Sequence, residues 1–113
     1  MEFDKSLISG ANAMLILSLL KDGDKYGYEM VQELKRRSDN VFALKEGTLY
    51  PLLHALEKAG EVESYYRTAA TGRERRYYRL TEKGEQRFRE RAEEWRTFTE
   101  SVNTVLNAVP LMG

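Results

Sequence analysis

The chain has 113 residues, with 18 Lys and Arg balanced by 18 Asp and Glu. Nucleic-acid and anionic-membrane binders are usually basic overall, so a zero sum speaks against both classes until the charges are located. There is no cysteine, which excludes disulfides, thiolate metal sites and cysteine nucleophiles. At this length a single domain is expected, burying about two-thirds of its unfolded surface. Hydrophobic residues at 42 % fit a folded chain, and charged residues at 32 % suit a small domain with long exposed helices. The longest apolar run, Met14 to Leu20 with Ser18 inside it, is too short to span a bilayer. The acidic start, Met1-Glu2-Phe3-Asp4, lacks the charge pattern of a signal peptide. A cytoplasmic protein is expected.

The first segment, Ser6 to Lys21, reads as a helix apolar on most sides, hence buried in the core or against another subunit. Asp22-Gly23-Asp24 breaks it. Tyr26 to Ser38 is a second helix, with Tyr28, Val31 and Leu34 as its predicted apolar stripe and Met30 beside it. Lys35, Arg36 and Arg37 fill its last turn, where cations suit the helix dipole. Thr48 to Ala59 is the third helix, with Thr48 as N-cap and Pro51 in the first turn, where a missing N–H costs nothing. Its stripe is Leu49, Leu52, Leu53 and Leu56, and Gly60 is placed as a C-terminal cap.

The period then changes. Val62 to Arg67 and Arg75 to Leu80, each with paired tyrosines, read as two strands. The loop Thr68 to Glu74 joins them as a hairpin, with Gly72 supplying the unusual backbone angles. The last segment, Thr81 to Ala108, is a long helix with Thr81 as N-cap and Pro110 beyond its end. Phe88, Ala92, Trp95, Thr99, Val102, Leu106 and Val109 alternate four and three apart, a heptad seam that marks helix-on-helix pairing. Phe98 and Val105 widen it.

Three helices, a hairpin and a long helix are the order of a winged helix-turn-helix. The fold class is mainly α (α+β), with a two-stranded wing. Residues 1–80 form the DNA-binding domain and residues 81–113 the dimerisation helix, together one compact unit. The last helix carries an apolar stripe that so small a core cannot cover, so a second chain is required. The expected dimer interface is Leu7, Ala11, Phe88, Trp95, Val102, Leu106 and Val109.

Charge is unevenly placed. Five arginines (67, 73, 75, 76 and 79) stand against one acid, Glu74, between Arg67 and Arg79, a local excess of +4. Residues 1–24 carry Lys5 and Lys21 against Glu2, Asp4, Asp22 and Asp24, an excess of −2. A narrow arginine-rich hairpin tip suits a DNA groove, because guanidinium forks bond phosphate oxygens bidentately. The plainer reading is a hairpin kept soluble by arginine. Thr48, Tyr50, His54 and Lys58 lie opposite the leucine stripe of the third helix, with Lys45 just before it. In a recognition helix these positions meet base edges and phosphates. Tyr50 reads equally as a half-buried core ring, and His54 as an ordinary exposed residue. A single histidine without cysteine builds neither a zinc site nor a catalytic triad, and no phosphate-binding glycine loop is present. No enzyme, metal or cofactor is expected.

Lys45-Glu46-Gly47-Thr48-Leu49-Tyr50-Pro51-Leu52-Leu53-His54-Ala55-Leu56-Glu57 resembles the signature of the PadR family of bacterial transcriptional regulators. Tyr26-Gly27-Tyr28-Glu29 and Arg76-Tyr77-Tyr78-Arg79-Leu80-Thr81-Glu82-Lys83-Gly84 are similar to its other motifs. The resemblance runs from about Leu15 to Val105, and the single C-terminal helix resembles the short subgroup. It implies a homodimeric winged-helix repressor on double-stranded operator DNA, with Gly47, Thr48, Tyr50 and the wing arginines facing it. The expected DNA-binding residues are Tyr26, Lys45, Gly47, Thr48, Tyr50, His54, Arg73, Arg75 and Arg76. In some drug-sensing members a tryptophan at the position of Trp95 lines a pore between subunits and stacks flat aromatic compounds. That resemblance makes Trp95, with Asn12, Leu15, Phe88, Ala92 and Thr99, a candidate effector site. On general grounds an aromatic in a heptad seam is more often simple interface packing, and the resemblance brings the two readings level. The competing function, supported by the zero net charge, is a winged-helix module that binds protein and not DNA.

Overall fold

The computed structural model describes the backbone of residues 5–107 and the side chains of residues 11–107. Leu7 and Val109, expected at the dimer interface, lie outside the described side chains. The elements in order are α1 (Lys5–Lys21), β1 (Lys25–Tyr26), α2 (Gly27–Arg37), α3 (Glu46–Lys58), β2 (Val62–Thr68), β3 (Glu74–Leu80) and α4 (Glu82–Asn107).

The core forms where the apolar faces of α1, α2 and α3 meet the inner face of the sheet. Ile16, Leu17, Met30, Leu49 and Leu53 are sealed from solvent, and Val62 and Tyr78 close the sheet side. The described part of α1, Ala11 to Leu20, is buried or half-buried, as its composition requires. In α2 the buried stripe is Gly27, Met30 and Leu34, with Val31 packed beside it. Tyr28, predicted in that stripe, is 62 % exposed. The helical period explains the correction, since the line through Met30 and Leu34 passes through Gly27, not Tyr28.

α3 begins earlier than predicted. Lys45, not Thr48, is its N-cap, because the Lys45 carbonyl accepts from the N–H groups of both Thr48 and Leu49. Pro51 therefore falls in the second turn. Its missing N–H leaves the Gly47 carbonyl without its helical donor, a small loss because Gly47 is exposed to water. Gly60, at φ +79°, ends the helix in the left-handed conformation that favours glycine.

The sheet has three strands, not two, in the order β1-β3-β2. The added strand is the pair Lys25–Tyr26, antiparallel to β3 with Tyr26 opposite Tyr77. β2 and β3 pair antiparallel from Val62–Leu80 to Thr68–Glu74. The hairpin closes through Gly72, at φ +84°, and the Ala69 N–H donates to the Arg73 carbonyl at 2.8 Å. Thr81 caps α4 as expected, its hydroxyl accepting from the Gly84 N–H at 3.0 Å and donating to the Gly60 carbonyl at 2.7 Å.

The seam of α4 serves two purposes. Phe88 packs on the intrachain core. Farther along, Trp95, Phe98, Val102, Val105 and Leu106 remain exposed. The chain extends 62 Å with a radius of gyration of 16.5 Å, against about 13 Å for a compact chain of this length. The excess length lies in α4, whose apolar stripe outruns the domain.

Candidate nucleic-acid interface

The outward face of α3 is built from small and polar residues. Leu49, Leu53 and Leu56 anchor the helix in the core, which turns Gly47, Thr48, Pro51, His54, Ala55 and Lys58 to solvent. Around Gly47 a Cβ would meet nothing within 4 Å. Short side chains let a helix approach a groove closely, and Lys45, His54 and Lys58 supply polar reach at its ends. Sequence reasoning missed Pro51 and Ala55, because only the helix phase places them on this face.

Tyr50 is neither fully buried nor fully exposed: it keeps 47 % of its surface, and its ring lies over the start of α2. A Cβ at Gly27 would fall 2.5 Å from its hydroxyl oxygen. Gly27 thus makes room for Tyr50, and the ring links the beginnings of α2 and α3. These two beginnings and the turn end of the wing enclose an open cleft of about 500 Å³, bordered by Tyr26, Glu46, Tyr50, Arg73, Arg75 and Arg76. Six of the residues expected at DNA stand near or in this cleft: Tyr26, Gly47, Tyr50, Arg73, Arg75 and Arg76.

The wing arginines differ in what they touch. Arg73 lies in the hairpin loop, exposed, with no side-chain partner among the described residues. Arg75 donates to the Tyr26 hydroxyl at 3.0 Å and stacks over its ring at 4.5 Å. Arg67 lies over Tyr77 at 5.2 Å. Arg79 pairs with Glu63 across the hairpin at 2.9 Å and covers Tyr65. Arg76 points to the opposite face and pairs with Glu57 of α3 at 2.9 Å.

Tyr26, Tyr77 and Tyr65 line up across the three strands, with centroids 5.4 and 5.9 Å apart. This ladder on the outer face stiffens the wing and holds Arg67 and Arg75 in place. The Tyr65 hydroxyl donates to the Asp24 carboxylate, which holds the phenol proton and raises its pKa. Burial pushes the Tyr78 phenol up as well. Tyr26 was expected at DNA; here its ring is the seat of Arg75. The two-residue strand β1 that delivers it is too short to leave a pattern in the sequence.

The profile of the transcriptional regulator PadR-like family matches residues 16–90. The chain belongs to that family. A relative from Lysinibacillus sphaericus is 36 % identical over 103 residues, spanning 91 % of this chain and 94 % of the relative. A transcriptional regulator from Mycobacterium tuberculosis is 41 % identical over 69 residues, 61 % of each chain. Among solved structures, a transcriptional regulator from Clostridium thermocellum superposes with a TM-score of 0.82 at 37 % identity, over 88 % of this chain and 97 % of the other. A PadR-like transcriptional regulator from Bacillus cereus gives a TM-score of 0.79 at 27 % identity, over 90 % and 97 %. This PadR-like chain is a DNA-binding transcriptional regulator with the winged-helix fold.

The residues expected at an effector site are spread over two open grooves and the core. Phe88 and Ala92 border one groove beside Lys21, whose ammonium lies 5.5 Å from the Phe88 ring centroid. Trp95 borders a second groove of about 370 Å³ with Ala13, Met14, Arg91, Glu94 and Phe98. Leu15 packs against the core, and Asn12 is half-buried on α1. The Thr99 hydroxyl bonds back to its own helix through the Trp95 and Arg96 carbonyls. Among the described residues no group of His, Asp and Glu is arranged to hold a metal ion, and no helix is long and apolar enough to cross a membrane.

Proposed function

We propose that this PadR-like regulator is a repressor that binds a pseudo-palindromic operator as a homodimer. One observation carries the reading: the beginnings of α2 and α3 and the turn end of the wing share one cleft, with Arg73 unpaired at its edge. A DNA backbone passing that cleft meets the small face of α3 on one side and the wing on the other. The exposed stripe of Trp95, Phe98, Val102, Val105 and Leu106 supports pairing of α4 with a second chain. Two such domains bind half-sites about one helical turn apart, roughly 34 Å. The candidate DNA contacts are Lys45, Gly47, Thr48, Tyr50, His54, Arg73 and Arg75.

The test is a band-shift titration on a duplex selected from random-sequence DNA by the wild-type protein. Arg73→Ala weakens binding and lowers the slope of log affinity against log salt by about 0.9 for each phosphate it no longer neutralises. Unchanged affinity and slope would remove Arg73 from the interface. Release by a planar aromatic ligand between the subunits is the second part of the proposal. Support comes from Trp95, which is the only tryptophan and borders an open groove with Phe98 and Met14. Such a ligand must favour one dimer geometry over the other, or it shifts nothing. Quenching of Trp95 fluorescence by a panel of planar aromatics, with loss of the shifted band, is the expected result. A panel that changes neither signal refutes this part.

A further inference from the structure

Five arginines make the wing region basic, and in sequence they look interchangeable. The structure separates them by what they touch. Of the five, Arg76 alone pairs with an acid on a different element from the hairpin. Its Nη2 donates to Glu57 Oε1 at 2.9 Å and to Ser64 Oγ at 2.9 Å. Ser64 Oγ in turn donates to Glu57 Oε2 at 2.5 Å. The guanidinium also lies over the Tyr78 ring at 5.5 Å. The result is a closed triangle joining the last turn of α3, strand β2 and strand β3.

The geometry points to Arg76 as a positioning residue, with the Glu57–Ser64–Arg76 triangle setting the angle between the wing and the recognition helix. The inference rests on the DNA-binding reading and assigns Arg76 a different role within it. A guanidinium already paired with a carboxylate adds little net charge for a phosphate, and its donors are turned toward α3. Arg73, exposed and without a side-chain partner among the described residues, is left for the backbone, as are the charges of Arg67 and Arg75, which meet tyrosine rings and no acid. Ser64 matters because it accepts from Arg76 while donating to Glu57, so all three groups hold one arrangement. A specific duplex requires the wing and the helix at one separation, whereas non-specific binding rests on charge and tolerates several.

This gives opposite expectations for the two arginines and an unusual sign for the acid. Binding is measured at several salt concentrations on two duplexes, one selected by the wild-type protein from random-sequence DNA and one unselected. Arg76→Ala weakens binding to the selected duplex by about five-fold, the upper range for a half-exposed ion pair. It leaves the salt slope and binding to the unselected duplex unchanged. Glu57→Ala weakens the selected complex to a similar degree, although removing a negative charge near DNA would by electrostatics alone tighten it. The double variant Glu57→Arg with Arg76→Glu recovers affinity toward wild type. Loss of folding would lower binding to both duplexes together, and equal circular dichroism melts of the variants exclude it.

The inference is overturned if Arg76→Ala lowers the salt slope by about 0.9, the value of one phosphate, or if Glu57→Ala tightens binding. The first result makes Arg76 a phosphate ligand; the second makes Glu57 only a repulsive charge. Failure of the wild-type protein to select any duplex overturns the DNA-binding reading itself, so the two failures are distinct.

Discussion

Gly84→Ala tests how the long helix is fastened to the DNA-binding domain. Gly84 is the third residue of α4 and is buried, because the helix starts directly against the turn between α3 and β2. A Cβ at Gly84 would lie inside the carbonyl group of Glu61 and 2.8 Å from Leu80 Cδ1. Leu80 can rotate away, but the Glu61 carbonyl cannot. It accepts from the Thr81 N–H at 3.1 Å, while the Glu61 N–H is held by the Leu56 carbonyl at 2.9 Å. Either the first turn of α4 lifts away or the turn distorts. Overpacking of this kind costs about 1–3 kcal/mol, and the broken Thr81–Glu61 bond about 1 kcal/mol more. Alanine returns about 1 kcal/mol through its better helix propensity. The net loss is about 1–3 kcal/mol, or a fall in Tm of roughly 4–12 °C for a chain of this size. Thermal unfolding followed by circular dichroism measures it, at one fixed protein concentration because the proposed dimerisation makes Tm depend on concentration. Gly47→Ala is the internal control, since a Cβ there meets nothing within 4 Å and the same propensity gain goes unopposed. A Gly84→Ala protein that melts at or above the wild-type temperature refutes the close-approach argument.

Arg91→Ala removes the bidentate partner of Glu61, whose side chain is 6 % exposed and accepts from Arg91 Nη1 at 2.6 Å. Orphaning a buried charge costs about 3–5 kcal/mol, and the partial exposure of Arg91 admits some water, so a loss of about 2–3 kcal/mol in chemical denaturation is expected. Glu61→Gln, which leaves behind the charge of the more exposed Arg91 rather than that of the buried Glu61, should cost less; an equal or larger cost would refute the argument. Glu33 is held at a pKa of about 2 by hydrogen bonds from Arg36 and Arg37. A carboxylate with a depressed folded pKa contributes its stability above the unfolded value of 4.5 and loses it as pH falls toward 2. Acid titration of the melting temperature should therefore show a shallower decline between those limits in Glu33→Gln, and identical profiles would discard the linkage. Val102→Glu places a charge on the exposed stripe of α4. Sedimentation should find a monomer at micromolar concentration, with loss of the selected-duplex complex; a variant that sediments as a dimer moves the interface elsewhere.

Much of the fold was legible because it follows local rules. The leucine stripe of α3, the Thr81 cap, Gly60 and the hairpin closed at Gly72 are each set by residues a few positions apart. What escaped depends on distant pairing. β1 is two residues long and exists only because β3 offers Lys25 and Tyr26 a partner edge. The start of α3 depends on a backbone carbonyl at Lys45, which carries no side-chain signature. Gly84 has no local signature either, since what makes it necessary lies across the fold at Glu61.

The same contrast bears on the charge balance. A sum of zero concealed a basic wing, but counting the wing's arginines together overstates what DNA can use. Strand register turns Arg79 onto Glu63 and Arg76 onto Glu57, so two of the five wing arginines are neutralised within the protein, while Arg67 and Arg75 are held over tyrosine rings but keep their charge. Arginines so held serve geometry more than attraction. With Arg67, Arg73 and Arg75 as the wing arginines that meet no acid among the described residues, the wing releases fewer counterions than its five arginines suggest. Discrimination between duplexes then rests on how firmly the wing and α3 are fixed to each other. A regulator of this construction binds non-specific DNA weakly, with a shallow salt dependence, and a steep one would show that the ion pairs open on contact with DNA.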